Sequence, residues 1–289
     1  MVRSVDVVRV RGGQRASEQD RAATEEPLEI RLHSRPFAVV MRTPGADREL
    51  AAGFLLAEGV IAGADDLGTI EYCTDEQPQS APSTQSHGFS AVSARSAVAS
   101  SNVVNVTLMD EPRVARALAD RRQVTTNASC GMCGRLTIES LMVRLPPIDA
   151  SWTIAAPVLL SMPPRLRAAQ SAFDETGGLH AAGLFSPDGR LVDMAEDVGR
   201  HNAVDKVVGR MLLREQLPLS THALCVSGRT SFEIVQKAAI AGVPVVAAVS
   251  APSSLAIDLA RASGVTLVGF VRDEGFNIYA HPQRIVTLG

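Results

Sequence analysis

Two thiols separated by two residues, in Cys130-Gly131-Met132-Cys133-Gly134, are the side chains of this sequence best suited to covalent chemistry. A polar, turn-prone stretch (Thr125 to Ser129) precedes them, and an apolar-periodic one (Leu136, Ile138, Leu141, Met142) follows. That pattern predicts a loop over 125–134 entering a helix. The partial positive charge of a helix N-terminus there favours thiolate over thiol. A thiolate attacks sulfur and binds soft metals. Gly131 and Gly134 let such a loop bend and bring backbone close to both sulfurs.

Three chemistries use a C-x-x-C pair. A closed zinc site needs four ligands, commonly a second C-x-x-C or a spaced histidine pair, and neither completes here. A dithiol oxidoreductase carries its pair after an early strand of a compact fold, whereas this pair stands mid-chain. A sulfur relay would load a sulfane sulfur on one thiolate as a persulfide and use the second as a resolving partner. The residues alone leave all three open. Cys73 and Cys225 stand singly in strand-like stretches and read as core residues.

The elements that must position these groups follow from composition and period. Of 289 residues, 46% are hydrophobic but only 4% aromatic, so the core is built from Ala, Val, Leu and Ile, as under helices on a largely parallel sheet. A net charge of −3 gives no general attraction to nucleic acid or anionic membrane. No apolar run reaches membrane-spanning length, and Met1 to Asp20 is charged without an apolar signal core, so a cytoplasmic location is expected. Four cysteines in a reducing cytosol do not build a disulfide framework.

Residues 1–20 read as a flexible tail and 21–145 as a small α+β unit. Leu28 to His33 and Phe37 to Arg42 alternate like paired strands about a Ser34-Arg35-Pro36 turn, and Asp47 reads as the N-cap of a helix through Ile61. Two further strands, Leu67 to Cys73 and Val103 to Met109, flank a Ser/Gln/Pro-rich insertion, 74–102, with too little apolar surface to order itself. From 146 to 289 the texture changes. A helix over Pro157 to Phe173 should be interrupted or bent at Pro163-Pro164. A hairpin, His180 to Phe185 and Leu191 to Glu196, turns at Ser186-Pro187-Asp188-Gly189. Short apolar strands at 223–227, 243–249 and 265–271 then alternate with helices marked by Val204, Phe232 and Leu255, which argues for βαβ crossovers. A last short strand runs from Asn277 to Ala280.

Ligands of such sheets bind beyond the carboxyl ends of the parallel strands. Those ends are Ser227-Gly228-Arg229-Thr230, Ser250-Ala251-Pro252-Ser253-Ser254 and Phe270-Val271-Arg272-Asp273-Glu274-Gly275. Thr230 and Glu233 have capping-box spacing, and two helix starts with Arg229 and Arg272 could cradle phosphates. The same residues also serve ordinary turns. A second polar concentration, Glu196 to Asn202 with Asp205 and Lys206, exceeds what a helix cap requires, although Asp197 could pair Arg200 structurally. His180 and His281 have no metal-ligand spacing to any cysteine.

Met41-Arg42-Thr43-Pro44-Gly45, the C-x-x-C block, Thr176-Gly177-Gly178-Leu179-His180, Glu196 through Lys206, Ser227-Gly228-Arg229 and Ser250 through Ser254 occur in this order between Glu25 and Ile285. In these motifs the chain resembles the FdhD family, sulfurtransferase accessory proteins of formate dehydrogenase. The resemblance implies an α/β fold with a cytidine-deaminase-like three-layer C-terminal domain and a smaller α+β N-terminal domain. It implies a persulfide on Cys130, with Cys133 as second cysteine. It further implies sulfur taken from a cysteine desulfurase and passed to the Mo-bis(molybdopterin guanine dinucleotide) cofactor, held by Phe270 to Gly275, before formate dehydrogenase receives it. A homodimer is also implied. The zinc-deaminase signature is missing, since Ala181-Ala182 follow His180 and Ser129 precedes Cys130, so deamination is disfavoured. A cofactor-binding chaperone without sulfur chemistry and a dithiol oxidoreductase are the alternative readings.

Overall fold

The computed structural model describes residues 1–73, 102–119 and 148–287. In place of a flexible tail, the first residues form an antiparallel hairpin of β1 (Val2–Arg11) and β2 (Gln14–Ala23). Gly12 and Gly13 both have positive φ, 56° and 83°. A two-residue turn of that hand matches the twist of paired strands. The sequence signal was there: a Gly-Gly pair beside a valine-rich alternating run.

A four-stranded sheet follows, with order β4-β3-β6-β5, from β3 (Glu26–Leu32), β4 (Arg35–Arg42), β5 (Leu67–Tyr72) and β6 (Val103–Leu108). Only β3 and β6 run parallel. The β3–β4 turn lies one position earlier than Ser34-Arg35-Pro36 suggests, because His33 and Ser34 take positive φ and Pro36 enters the strand beside a register irregularity. Edge strand β4 tolerates a residue with no N–H. Helix α1 (Asp47–Ala57) caps on Ala46, not on Asp47, and α2 (Glu111–Ala119) follows β6.

The larger sheet has order β13-β12-β11-β10-β8-β9, from β8 (His180–Phe185), β9 (Leu191–Asp197), β10 (Ala223–Val226), β11 (Val245–Ala248), β12 (Thr266–Arg272) and β13 (Gly275–Ala280). Its centre, β10-β11-β12, is parallel, and both flanks are antiparallel. A two-residue pair, β7 (Ile154–Ala155) with β14 (Ile285–Val286), lies outside it. Alternate residues of its strands enter different cores. Ala181, Phe185, Ala223, Cys225, Val245 and Val268 pack with Leu159, Met162 and Leu166 of α3 (Ala156–Ala168). Ala182, Leu184, Leu224, Val226, Val246 and Leu267 pack with α5 (Arg200–Leu213), α6 (Phe232–Ile240) and α7 (Ser254–Ser263). The fold is therefore α/β, with helices on both faces of the sheet. Helix α3 runs through Pro163 and Pro164 and stops only before the short α4 (Ser171–Thr176). Burial of Leu159, Met162 and Leu166 on one stripe offsets the missing proline N–H groups.

The second core continues without a break into α1, β3 and β6. Helix α1 lies directly on α5. A Cβ placed on Gly53 would sit 2.0 Å from the Asp205 carbonyl oxygen, and one on Gly209 only 1.9 Å from that of Glu49. Beside this crossing, the Met41–Thr43 strand end locks into the start of α5. Asp197 accepts from the Thr43 N–H at 3.1 Å and pairs with Lys206 at 2.7 Å. Lys206 also donates to the Thr43 carbonyl at 2.8 Å, and Asn202 donates to the Met41 carbonyl at 2.8 Å. Arg42 is buried against Asp47, 2.9 Å away, which explains why that carboxylate does not cap the helix.

Two outcomes follow. Gly209→Ala should destabilise the fold by about 2 kcal/mol or more, because backbone overlap outweighs the roughly 1 kcal/mol that alanine adds to a free helix. A thermal midpoint that rises instead would refute the close crossing. Lys206→Met should lose roughly 3–5 kcal/mol in urea unfolding by stranding the buried Asp197 carboxylate, with partial recovery on adding Asp197→Asn.

Candidate functional site at the carboxyl edge of the large sheet

Cys130 and Cys133, the helix expected after them and nearly all of the 74–102 insertion lie outside the described residues. Asn102, at the insertion's end, is buried and accepts from Arg42 at 2.8 Å. Among the described residues no group of three or more His, Cys, Asp or Glu side chains could hold a metal. Cys225 is fully buried, with its thiol pushed up to about 12 by burial, so it is an inert core residue.

The three strand ends do come together. Thr230 and Pro252 form a parallel bridge. The Thr230 N–H donates to the Ala251 carbonyl at 3.2 Å, and Ser253 N–H returns to the Thr230 carbonyl at 3.0 Å. Phe270 N–H donates to the Ser250 carbonyl at 3.2 Å. Gly269 must lack a side chain there, since a Cβ would meet Pro252 at 3.0 Å and Ser250 O at 3.1 Å. Ser253 caps α7 through its hydroxyl, 3.3 Å from Ala256 N.

The individual residues divide. Arg229 is exposed, and Gly228 lies on the rim. The Ser227 hydroxyl accepts from Ala181 N–H at 2.8 Å and so ties β10 to β8. Val271 is fully buried in the core, so its side chain is not available to a ligand. Phe270 takes positive φ, 54°, and the Arg272 guanidinium rests 5.6 Å over its ring. Asp273 and Glu274 form the exposed turn into Gly275, and Glu274 and Gly275 border a shallow groove with Phe276 and Tyr279 along β13.

The capping box does not form. Ser231 is the N-cap of α6, and Glu233 turns to His201, with Oε2 2.9 Å from Nε2. His201 Nε2 is also 3.0 Å from the Ser231 hydroxyl. Asp197 pairs with Lys206 and not Arg200, leaving Arg200 beside His180. A Cβ on Gly228 would lie 3.3 Å from His180 Nδ1 and 3.8 Å from Arg200 Cδ. The polar block 196–206 thus splits: Asp197, Asn202 and Lys206 hold the fold, while Arg200 and His201 turn to the carboxyl edge. Sequence spacing missed the His201–Glu233 pair, whose members stand 32 positions apart on two helices.

Electrostatics follow this geometry. Burial, then the Arg200 and His201 charges, lower the His180 pKa. Burial opposes ionisation of Glu233, but its bond to His201 and the charges of His201, Lys237 and Arg200 prevail and hold its carboxyl below the ordinary range. Because the folded pKa of His180 is depressed, its contribution to stability is present above its unfolded value, about 6.5, and is lost as pH falls toward the folded one. NMR titration should place the His180 midpoint below that value, and Arg200→Gln should move it up. A midpoint unmoved by Arg200→Gln would contradict the assignment.

Comparison with known proteins agrees over nearly the whole chain. Residues 23–286 match the model of the FdhD/NarQ family. The sulfur carrier protein FdhD of Streptomyces avermitilis is 50% identical over 96% of this chain and 94% of its own length. That of Mycobacterium tuberculosis is 47% identical over 91% of each chain. A crystal structure from Desulfotalea psychrophila, described as a formate dehydrogenase accessory protein, superposes with a TM-score of 0.73 at 26% identity, covering 99% of both chains. On this evidence the chain belongs to the FdhD/NarQ family.

Proposed function

We propose that this protein carries sulfur, as a persulfide on Cys130, to a Mo-bis(molybdopterin guanine dinucleotide) cofactor destined for formate dehydrogenase. The sulfur-carrier role of relatives up to 50% identical supports the general activity. The observation that carries the cofactor part is the convergence of three strand ends, joined by the Thr230–Pro252 bridge and the Phe270-to-Ser250 hydrogen bond. Two helix starts and Arg229 there offer N–H groups and positive charge to a pyrophosphate.

The sulfur steps balance with the two cysteines alone. The Cys130 thiolate attacks the outer sulfur of a desulfurase persulfide; a new S–S bond forms and the desulfurase thiolate leaves. The Cys133 thiolate then attacks the inner sulfur, Cys130 Sγ. A Cys130–Cys133 disulfide forms and the outer sulfur departs as hydrosulfide. Two electrons from the dithiol thus turn sulfane sulfur into sulfide, which is the form a molybdenum centre binds.

Mass spectrometry tests this directly. After incubation with a cysteine desulfurase and cysteine, the wild-type chain should gain one sulfur mass, and Cys130→Ala should gain none. Cys133→Ala should keep the added sulfur but fail to release it, and should not support active formate dehydrogenase. Equal formate dehydrogenase activity with Cys130→Ala would leave cofactor binding as the only role.

A further inference from the structure

Arg284 is 6% exposed, and no carboxylate among the described residues lies within ion-pairing distance of it. Its guanidinium is directed instead at four neutral acceptors in two stretches, 148–150 and 264–266. Nε donates to the Ala150 carbonyl at 3.2 Å, and Nη2 to that of Ile148 at 3.0 Å. Nη1 donates to the Gly264 carbonyl at 2.7 Å and to the Thr266 hydroxyl at 3.1 Å. The approach to Arg284 is fixed as well, since the Thr266 hydroxyl donates to the His281 carbonyl at 2.8 Å.

What this guanidinium holds is the point where the described chain resumes after the cysteine pair. Ile148 stands fifteen residues after Cys133. Its peptide is held on both sides: the N–H donates to the Ser263 carbonyl of α7 at 2.8 Å, and the carbonyl accepts from Arg284. Gly264 ends α7 with φ 80°, and a Cβ there would lie 2.9 Å from the Ile148 carbonyl oxygen. Directly after Arg284, Ile285 and Val286 pair with Ile154 and Ala155. Arg284 to Val286 thus fasten both ends of 148–155. A buried cation without a counter-ion is a costly join, and backbone pairing alone would close the fold with less desolvation. The planar fork adds direction, because it fixes where Ile148 lies and how its peptide points.

We infer that Arg284 is a positioning residue for sulfur delivery, fixing the base on which the chain from Cys133 rejoins the large domain. The inference rests on the sulfur-carrier reading above and adds to it a residue outside the cysteine motif. The two halves of that reaction make different demands. A desulfurase diffuses to Cys130 and adapts its approach to the thiolate. Delivery joins two groups held by one chain, so its rate follows their alignment. Loss of a fixed base therefore slows delivery and spares loading.

Arg284→Lys tests this in the full chain, since it keeps the charge and replaces the fork with a single ammonium. Hydrogen exchange at the Ile148 amide should rise about tenfold or more, with the amides of β10, β11 and β12 unchanged. Persulfide loading of Cys130 by a desulfurase with cysteine, read by mass, should stay within about twofold of wild type, while formate dehydrogenase activation falls about tenfold or more. Thr266→Val removes one acceptor of the same guanidinium and should give the same split in smaller measure, which keeps the test open where Arg284→Lys melts below the assay temperature. Full delivery by a variant whose Ile148 amide exchanges freely would overturn the inference. So would an Ile148 amide no less protected in Arg284→Lys, or loading and delivery that fall in proportion, as they would for a merely structural arginine. A wild-type chain that takes up no sulfur would remove the carrier reading itself, and this inference with it.

Discussion

The contact of α1 with α5 is the constraint on which the rest of the molecule depends. At Gly53 and Gly209 the two backbones touch, and no side chain fits between them. That closeness lets the Met41–Thr43 strand end reach the Asp197 carboxylate and the Lys206 ammonium, both fully buried. Two charges withdrawn from water are stable there only because each is paired and hydrogen-bonded. The two glycines and the ion pair therefore support one another. They also orient the start of α5, which carries Arg200 and His201 to the carboxyl edge.

A single polar edge then follows from strand direction. Because β10, β11 and β12 are parallel, their carboxyl ends and the helix starts that follow them gather on one side. The antiparallel hairpin of β8 and β9 brings His180 and the 196–202 segment to that same side from another part of the chain. Positive charge from Arg200 and Arg229 and negative charge from Glu233 are thus combined at one rim. A site of mixed sign discriminates among ligands by hydrogen-bond pattern, where a purely basic one would select charge alone.

Much of this was legible beforehand. Alternation located β3, and short apolar runs bounded by turn residues located β5, β6 and the strands from β8 to β12, to within a few residues. The strand ends were legible for the same reason. Local capping signals fared worse. Asp47, Thr230 and Glu233 all have capping spacing, yet each side chain is directed elsewhere: Asp47 to Arg42, Glu233 to His201, and Thr230 to a buried position without a partner. A buried cation within reach outcompetes a backbone N–H for a carboxylate. The prolines of α3 erred in the other direction, because tertiary burial of one face outweighed a local break.

By itself, the sequence determined the α/β class, the order of elements, the cysteine pair suited to sulfur chemistry and the three loops at the parallel strand ends. These depend on periods of two and 3.6 residues and on residue types at short spacing, all written along the chain. Only the tertiary structure decided which members of the 196–206 block hold the two halves together and which face the carboxyl edge. It alone joined His201 to Glu233 and set Gly53 against Asp205 and Gly209 against Glu49. Such pairings are made by helix packing across long sequence separations, and no local propensity encodes them.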